Sequence, residues 1–244
     1  MKYIMLCLVP LFSSNVSASD FSLGLGGTAS APPYKYKSKN IYSPLPMFNY
    51  QNKYLYADTS GIGIKLFEGE RQRFSLFSSY DGSEFNPEDA IKELEKVSKR
   101  KSTVYAGFGY NLYTGAGDLA VNILQDTLGK SQGMKVNASW SVNSYYTQWI
   151  LGYNVGVEWN NKKQNQYYYG VDKKESLKSD VSTYESKSSF TPYTGVNITY
   201  LLNDKWTAAV FVDAYFIPNQ QKHSPLSSGK DVLYSVGGVV TYTL

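Results

Sequence analysis

The chain has 244 residues, enough for one large β domain or two small ones. Its mean hydropathy is −0.35, and no stretch approaches the ~18 uninterrupted apolar residues of a membrane-crossing helix, which excludes a helical membrane protein. A net charge of +4 is too slight to argue for nucleic acid, and 23 Tyr with 20 Gly suit pleated strands and turns better than helices.

Residues 1–18 open with Lys2, continue through the apolar run YIMLCLVPLF and end with Val16-Ser17-Ala18, the layout of a cleaved secretory signal. The mature chain is expected to start at Ser19 with a charge of +3, since Lys2 is removed. Cys7, the sole cysteine, is removed as well, so residues 19–244 are expected to form one domain without disulfides.

Period-two alternation then recurs to the C-terminus. Phe21, Leu23 and Leu25 face away from Ser22, Gly24 and Gly26, and Val104, Ala106, Phe108, Tyr110 and Leu112 alternate with Tyr105, Gly107, Gly109 and Asn111. Met134 to Val142, Val196 to Leu202, Trp206 to Phe216 and Tyr234 to Leu244 repeat the pattern. Such alternation means strands with one apolar side. Twelve are expected, over 21–29, 40–50, 53–59, 61–68, 71–80, 102–114, 118–128, 133–146, 147–160, 189–202, 205–217 and 232–244. The split at Asp58-Thr59-Ser60-Gly61 keeps the count even, as single-chain bacterial barrels require; ten strands is the competing count.

Three features favour a transmembrane barrel over a soluble sandwich. The polar face carries Gly, Asn, Ser and Thr, as a hydrated lumen would. The apolar face is bounded by aromatics, Trp149 with Trp159 and Trp206 with Phe216. Ten residues at ~3.4 Å rise and ~40° tilt span ~26 Å, close to the ~25 Å apolar band of an outer-membrane barrel. Connections also alternate between tight turns and the long polar loops 81–101, 160–188 and 218–231, matching periplasmic turns and extracellular loops.

Within loop 81–101, Asn86, Pro87, Glu88 and Asp89 followed by Lys99-Arg100-Lys101 predict a short helix with an apolar stripe of Ile91, Leu94 and Val97. Loop 160–188 carries Tyr167, Tyr168, Tyr169 and Gly170, candidates for recognition or for strand extension above the membrane. Lys35, Lys37 and Lys39 make the outer rim mildly basic; solvated loop charge is the expected reason, with contact to lipopolysaccharide phosphates the alternative. Asp118, Asp126, Lys135, Glu158 and Asp213 are expected to point into the lumen. His223 is the sole histidine; beside Ser224, with Asp213 or Asp231 as orienting acid, it is all that supports a hydrolase, so no enzyme, metal or cofactor is expected. Tyr242 and Leu244 stand where barrel assembly machinery reads a C-terminal signal.

YYYGV at 167–171, Ser176, Tyr184, Gly195, the turn from Leu201-Leu202 to Trp206, and Ser224-Pro225-Leu226 together resemble the MipA/OmpV family, with the layout closest to its YiaT-like branch. The SLGLGG strand, Pro33-Tyr34 and RKSTVYAGFGY at 100–110 agree more loosely. The resemblance implies a Gram-negative outer-membrane barrel and, for its MipA members, a scaffold joining a lytic murein transglycosylase to a penicillin-binding protein. A non-enzymatic envelope scaffold is the expected function. A narrow or gated pore, with a lumen that Tyr105, Phe211, Tyr215 and the loop helix could fill, is one alternative. An adhesin acting through its loops is the other.

Overall fold

The computed structural model describes residues 20–244; the expected signal segment lies outside the described residues. Twelve antiparallel strands close into a barrel in sequence order, with β1 completing the ring against β12. They are β1 (Asp20–Ser30), β2 (Ile41–Gln51), β3 (Leu55–Asp58), β4 (Gly61–Glu68), β5 (Gln72–Asp81), β6 (Thr103–Thr114), β7 (Gly117–Asp126), β8 (Met134–Tyr146), β9 (Trp149–Asn160), β10 (Ser189–Leu201), β11 (Trp206–Phe216) and β12 (Val232–Thr243). The count of twelve stands and ten is excluded. No helix among the described residues is long and apolar enough to cross a membrane.

The faces follow the alternation. Leu23, Leu25, Phe108, Ile123, Val196, Val210, Val212 and Val240 are all exposed on the outside. In water so continuous an apolar surface is a liability, whereas in hydrocarbon it is the solvated face. β4 has a bulge between Lys65 and Phe67, which lets the neighbours Leu66 and Phe67 both face outward. Inside, large aromatics lie over glycines, while Asn137, Ser139, Ser141 and Asn143 of β8 stay half-exposed to the lumen. A Cβ on Gly156 would meet the Tyr193 ring at 2.4 Å, and one on Gly237 would meet Phe211 at 2.3 Å. Tyr105 and Tyr215 are buried, and the rings of Tyr193 and Tyr215 lie 5.8 Å apart.

β3 is shorter than the expected 53–59. Its register with β2 covers only Asn49 to Gln51, so residues 41–48 of β2 have no partner on that side. Asn52 N–H donates to Leu55 O at 2.8 Å, which fixes even-numbered residues of β2 as those whose backbone faces β3. Pro44 and Pro46 both fall on that parity. They remove donors where no acceptor exists, as prolines do on sheet edges. Pro192 of β10 obeys the same rule. Leu201 N–H donates to Gln148 O, so even residues face β11, and that ladder stops at Tyr193.

Replacing outward Val210 by Arg should destabilise the barrel by about 2–4 kcal/mol if that face meets hydrocarbon. Urea unfolding from phospholipid vesicles measures this, and an unchanged midpoint would contradict the lipid-facing assignment.

Candidate functional site: an extracellular cap over the barrel mouth

All long loops emerge at one end of the barrel, and four pack into a cap. Tyr34, Phe85, Ala90, Leu94, Val97, Val171, Val181 and Leu226 form one buried cluster, drawn from loops 31–40, 82–102, 161–188 and 217–231. Its aromatic centre is Tyr34, edge-on to Phe85 at 5.2 Å and tilted against Tyr169 at 5.6 Å.

Loop 82–102 does not form the continuous helix expected. It makes two 3-10 turns, Pro87–Asp89 and Lys92–Leu94, separated by extended Ala90 and Ile91. The interruption has a cause: Ala90 bridges to Tyr36, and Ile91 N–H donates to Lys35 O at 3.0 Å. The apolar stripe nevertheless points inward, with Leu94 and Val97 in the cluster and Ile91 against it.

Loop 161–188 contributes two helices, α1 (Lys162–Tyr169) and α2 (Lys173–Ser179). Asn161 caps α1 by accepting from Gln164 N–H at 2.9 Å, and Asp172 caps α2 by accepting from Glu175 N–H at 2.8 Å. The Tyr run thus ends a helix and does not extend a strand. Tyr168 is 3% exposed and donates to Lys101 O at 3.2 Å. Tyr167 Oη accepts from Lys101 N–H at 2.8 Å, and Tyr169 packs on the cluster, with Gly170 as the buried C-cap. Burial pushes the phenols of Tyr34, Tyr168 and Tyr169 well above the usual tyrosine range.

The strongest tie is one the sequence reading missed. Arg100 reaches across to Glu175, donating to Oε1 at 2.9 Å and Oε2 at 2.5 Å, and also to Gly170 O at 3.0 Å. Ser98 N–H adds a bond to Glu175 Oε1 at 2.8 Å. Both side chains are nearly buried, so the pair holds loops 82–102 and 161–188 in one register. Their separation in sequence offered no signal for pairing.

The five candidate lumen charges separate into groups. Lys135 pairs with Asp81, lies 3.9 Å from Glu158 and sits 5.0 Å from the Tyr105 ring centre. Tyr105 donates to Gln164 Oε1 at 2.5 Å, joining this charged knot to α1. Asp126 serves instead as the organiser of the loop after β7. It accepts from Thr103 Oγ1 at 2.6 Å, Ser131 N–H at 2.6 Å and Gln132 N–H at 2.9 Å. Asp118 stands at the opposite mouth, one residue into β7. Asp213 is buried beside Gly195, where a Cβ would come within 2.2 Å of its Oδ1. Nearby Asn154 and Asn197 carry buried amide atoms without protein partners, marking this part of the interior as polar.

His223 and Ser224 do not form a dyad. Ser224 donates to Tyr169 O at 2.6 Å and accepts from Leu226 N–H at 3.2 Å, while His223 is exposed at the end of α3 (Asn219–Lys222). Asp231 pairs with Lys222 at 2.6 Å, which holds its carboxyl below the usual range. Of the candidate interface aromatics, Trp149, Trp206 and Phe216 are exposed, and Trp159 is half-buried at the loop end of β9. At the short-turn end, rings pair across strands: Trp149 with Tyr200 at 4.6 Å, and Trp206 with Tyr242 at 4.9 Å. Leu244 is exposed, and its N–H donates to Phe21 O at 3.0 Å.

Arg100→Ala leaves Glu175 buried without its cation and should weaken cap closure by about 3–5 kcal/mol. Limited proteolysis should then cut loop 161–188 while heat-modifiable migration of the barrel persists; equal resistance of variant and parent would contradict the assignment. The buried phenols give a second expectation. Their raised pKa means the folded state keeps protons that the unfolded chain loses above about pH 10, so stability falls as pH rises past that point. In an ultraviolet titration a subset of tyrosines should ionise only as the cap opens.

The chain is similar along most of its length to several outer-envelope proteins. The MltA-interacting protein of Escherichia coli is 30% identical over 188 residues, covering 77% of this chain and 75% of that protein. The YiaT protein of Escherichia coli is 24% identical and covers 93% of both chains. Outer membrane protein OmpV of Vibrio cholerae is 24% identical over 82% of this chain and 78% of its own. The family model described as MltA-interacting protein MipA matches residues 23–244, so this outer-membrane barrel belongs to the MipA family.

Proposed function

We propose that the chain is a non-enzymatic interaction protein of the cell envelope, an anchored barrel whose short-turn rim holds a partner in the periplasm. The carrying observation is the packed cap, held by Arg100–Glu175 and the Tyr34 cluster over a mouth into which Tyr105 projects. Loops packed over the mouth speak against bulk diffusion and leave the rims as working surfaces. A relative named as an MltA-interacting protein supports a murein transglycosylase as the partner.

The periplasmic rim is small, formed by tight turns, yet it presents aromatic anchors away from lipid. Tyr54 stands exposed in the turn after β2, with Lys53 5.3 Å from its ring centre. Tyr145 is exposed at the end of β8, on the lumen-facing parity of Lys135 and Asn137. Exposed aromatics on a rim are the residue type that carries interface energy.

Vesicles bearing the refolded barrel, short turns outward, should retain the transglycosylase of the same organism. Tyr54→Ala with Tyr145→Ala should weaken retention about tenfold, the size expected for losing two modest anchors. Absence of retention by the unaltered barrel would refute this partner.

A further inference from the structure

The barrel wall is incomplete beside β2. Residues 41–48 continue above the last pair with β3, while on the far bank β5 rises only from Ser79 to Asp81 above its pair with Ile62. The gap is a wedge, floored by the turn at Thr59-Ser60, where Asp58 Oδ1 accepts from Ser60 N–H at 2.7 Å and from Gly61 N–H at 3.2 Å. The backbone groups directed into it belong to Tyr42, Pro44, Pro46 and Phe48. An unmet N–H in hydrocarbon is costly, and proline removes two of the four. The same prolines make β2 a poor template for a strand from another molecule. On the lumen side of this stretch Ile41, Ser43 and Leu45 are buried, so the wedge is closed behind and is no passage to the interior.

A second depression lies on the other flank of β2. Gly27 and Ala29 lack bulk there, leaving an apolar groove of about 550 Å³ bounded by Tyr42, Pro44 and Val236. Tyr42 and Pro44 therefore form a ridge between two apolar seats. Above them runs the loop joining β1 to β2, with three lysines. Lys37 is paired with Glu95 at 2.9 Å, whereas exposed Lys35 and Lys39 make no ion pair among the described residues. Unpaired cations on the loop that enters β2, Lys39 being two residues before Ile41, beside two apolar seats match one ligand chemistry, an anionic head with several acyl chains.

We propose that this flank is a binding site for a single lipopolysaccharide molecule of the outer leaflet. Its acyl chains straddle the Tyr42–Pro44 ridge, covering the unpaired edge of β2, and its phosphate meets Lys39 and Lys35. The site is independent of the periplasmic partner and stands or falls separately from it.

Native mass spectrometry of the refolded mature chain tests this, with lipid A as probe and phosphatidylglycerol as a two-chain anionic rival. One lipid A should be retained per barrel under conditions that strip phosphatidylglycerol. Lys39→Glu should reduce retention about tenfold, as should Gly27→Leu, which fills the groove. A Cβ at Gly27 meets nothing closer than Ser43 O at 3.7 Å, so the substitution fits the backbone. Heat-modifiable migration confirms folding, and Lys39→Glu, on an exposed loop, keeps the test valid if the groove variant misfolds. No retained lipid A, retention unchanged in Lys39→Glu, or equal retention of phosphatidylglycerol would overturn the site.

Discussion

Hydrocarbon offers a backbone no hydrogen bonds, and almost every feature of this protein follows from that. A strand in the membrane needs partners on both sides, so the sheet must close, and β1 meets β12 over Ser22 to Ser30. Closure dictates one apolar face outward and one face inward along every strand. Where pairing fails, the chain adapts covalently: Pro44 and Pro46 stand where a donor would find no strand, and Pro192 stands one residue past the end of the β10–β11 ladder. The wall beside β2 is the limiting case, and it is there that lipid must complete what the protein leaves open.

Closure creates a second problem, an interior that must be filled or wetted. Near the loops it is filled by charge and aromatics in contact, with Lys135, Asp81 and Glu158 beneath Tyr105 and Gln164 above. Midway along β9 to β11 it stays polar, at Asn154, Asn197 and Asp213. The cap adds a small folded layer outside the membrane. Its cluster is apolar enough to resemble a soluble core, and Arg100–Glu175 fixes how its two largest loops meet. Burying that pair gains specificity of arrangement more than net stability.

The membrane class and strand count were legible because period two is a local signal repeated along the whole chain, and even parity resolved the weak hairpin at Asp58-Thr59-Ser60-Gly61. The cap was legible only in parts. Asn86-Pro87-Glu88-Asp89 read as a helix start, but tertiary bonds to Lys35 and Tyr36 pulled Ala90 and Ile91 straight. Tyr167 to Tyr169 suit a strand by propensity, yet Asn161 ahead of them and Gly170 behind bracket a helix, a capping signal that was present and outweighed. Asp126 shares the inward face of Tyr105, and its position at a strand end, five residues before Ser131, also makes it a loop organiser. The Pro-x-Pro of β2 was the most informative unread signal: two prolines on one parity announce an unpaired edge. Arg100–Glu175 and Lys135–Asp81 join residues far apart in the chain, and one sequence holds no trace of such pairing.

The central claim is a barrel sealed from the outside by its own loops. Single-channel recording of the refolded mature chain in a planar bilayer tests it most directly. The account predicts silence from correctly folded protein across the usual range of voltages. Steady conductance from the unaltered chain would contradict it, because ions would then be passing the packed loops.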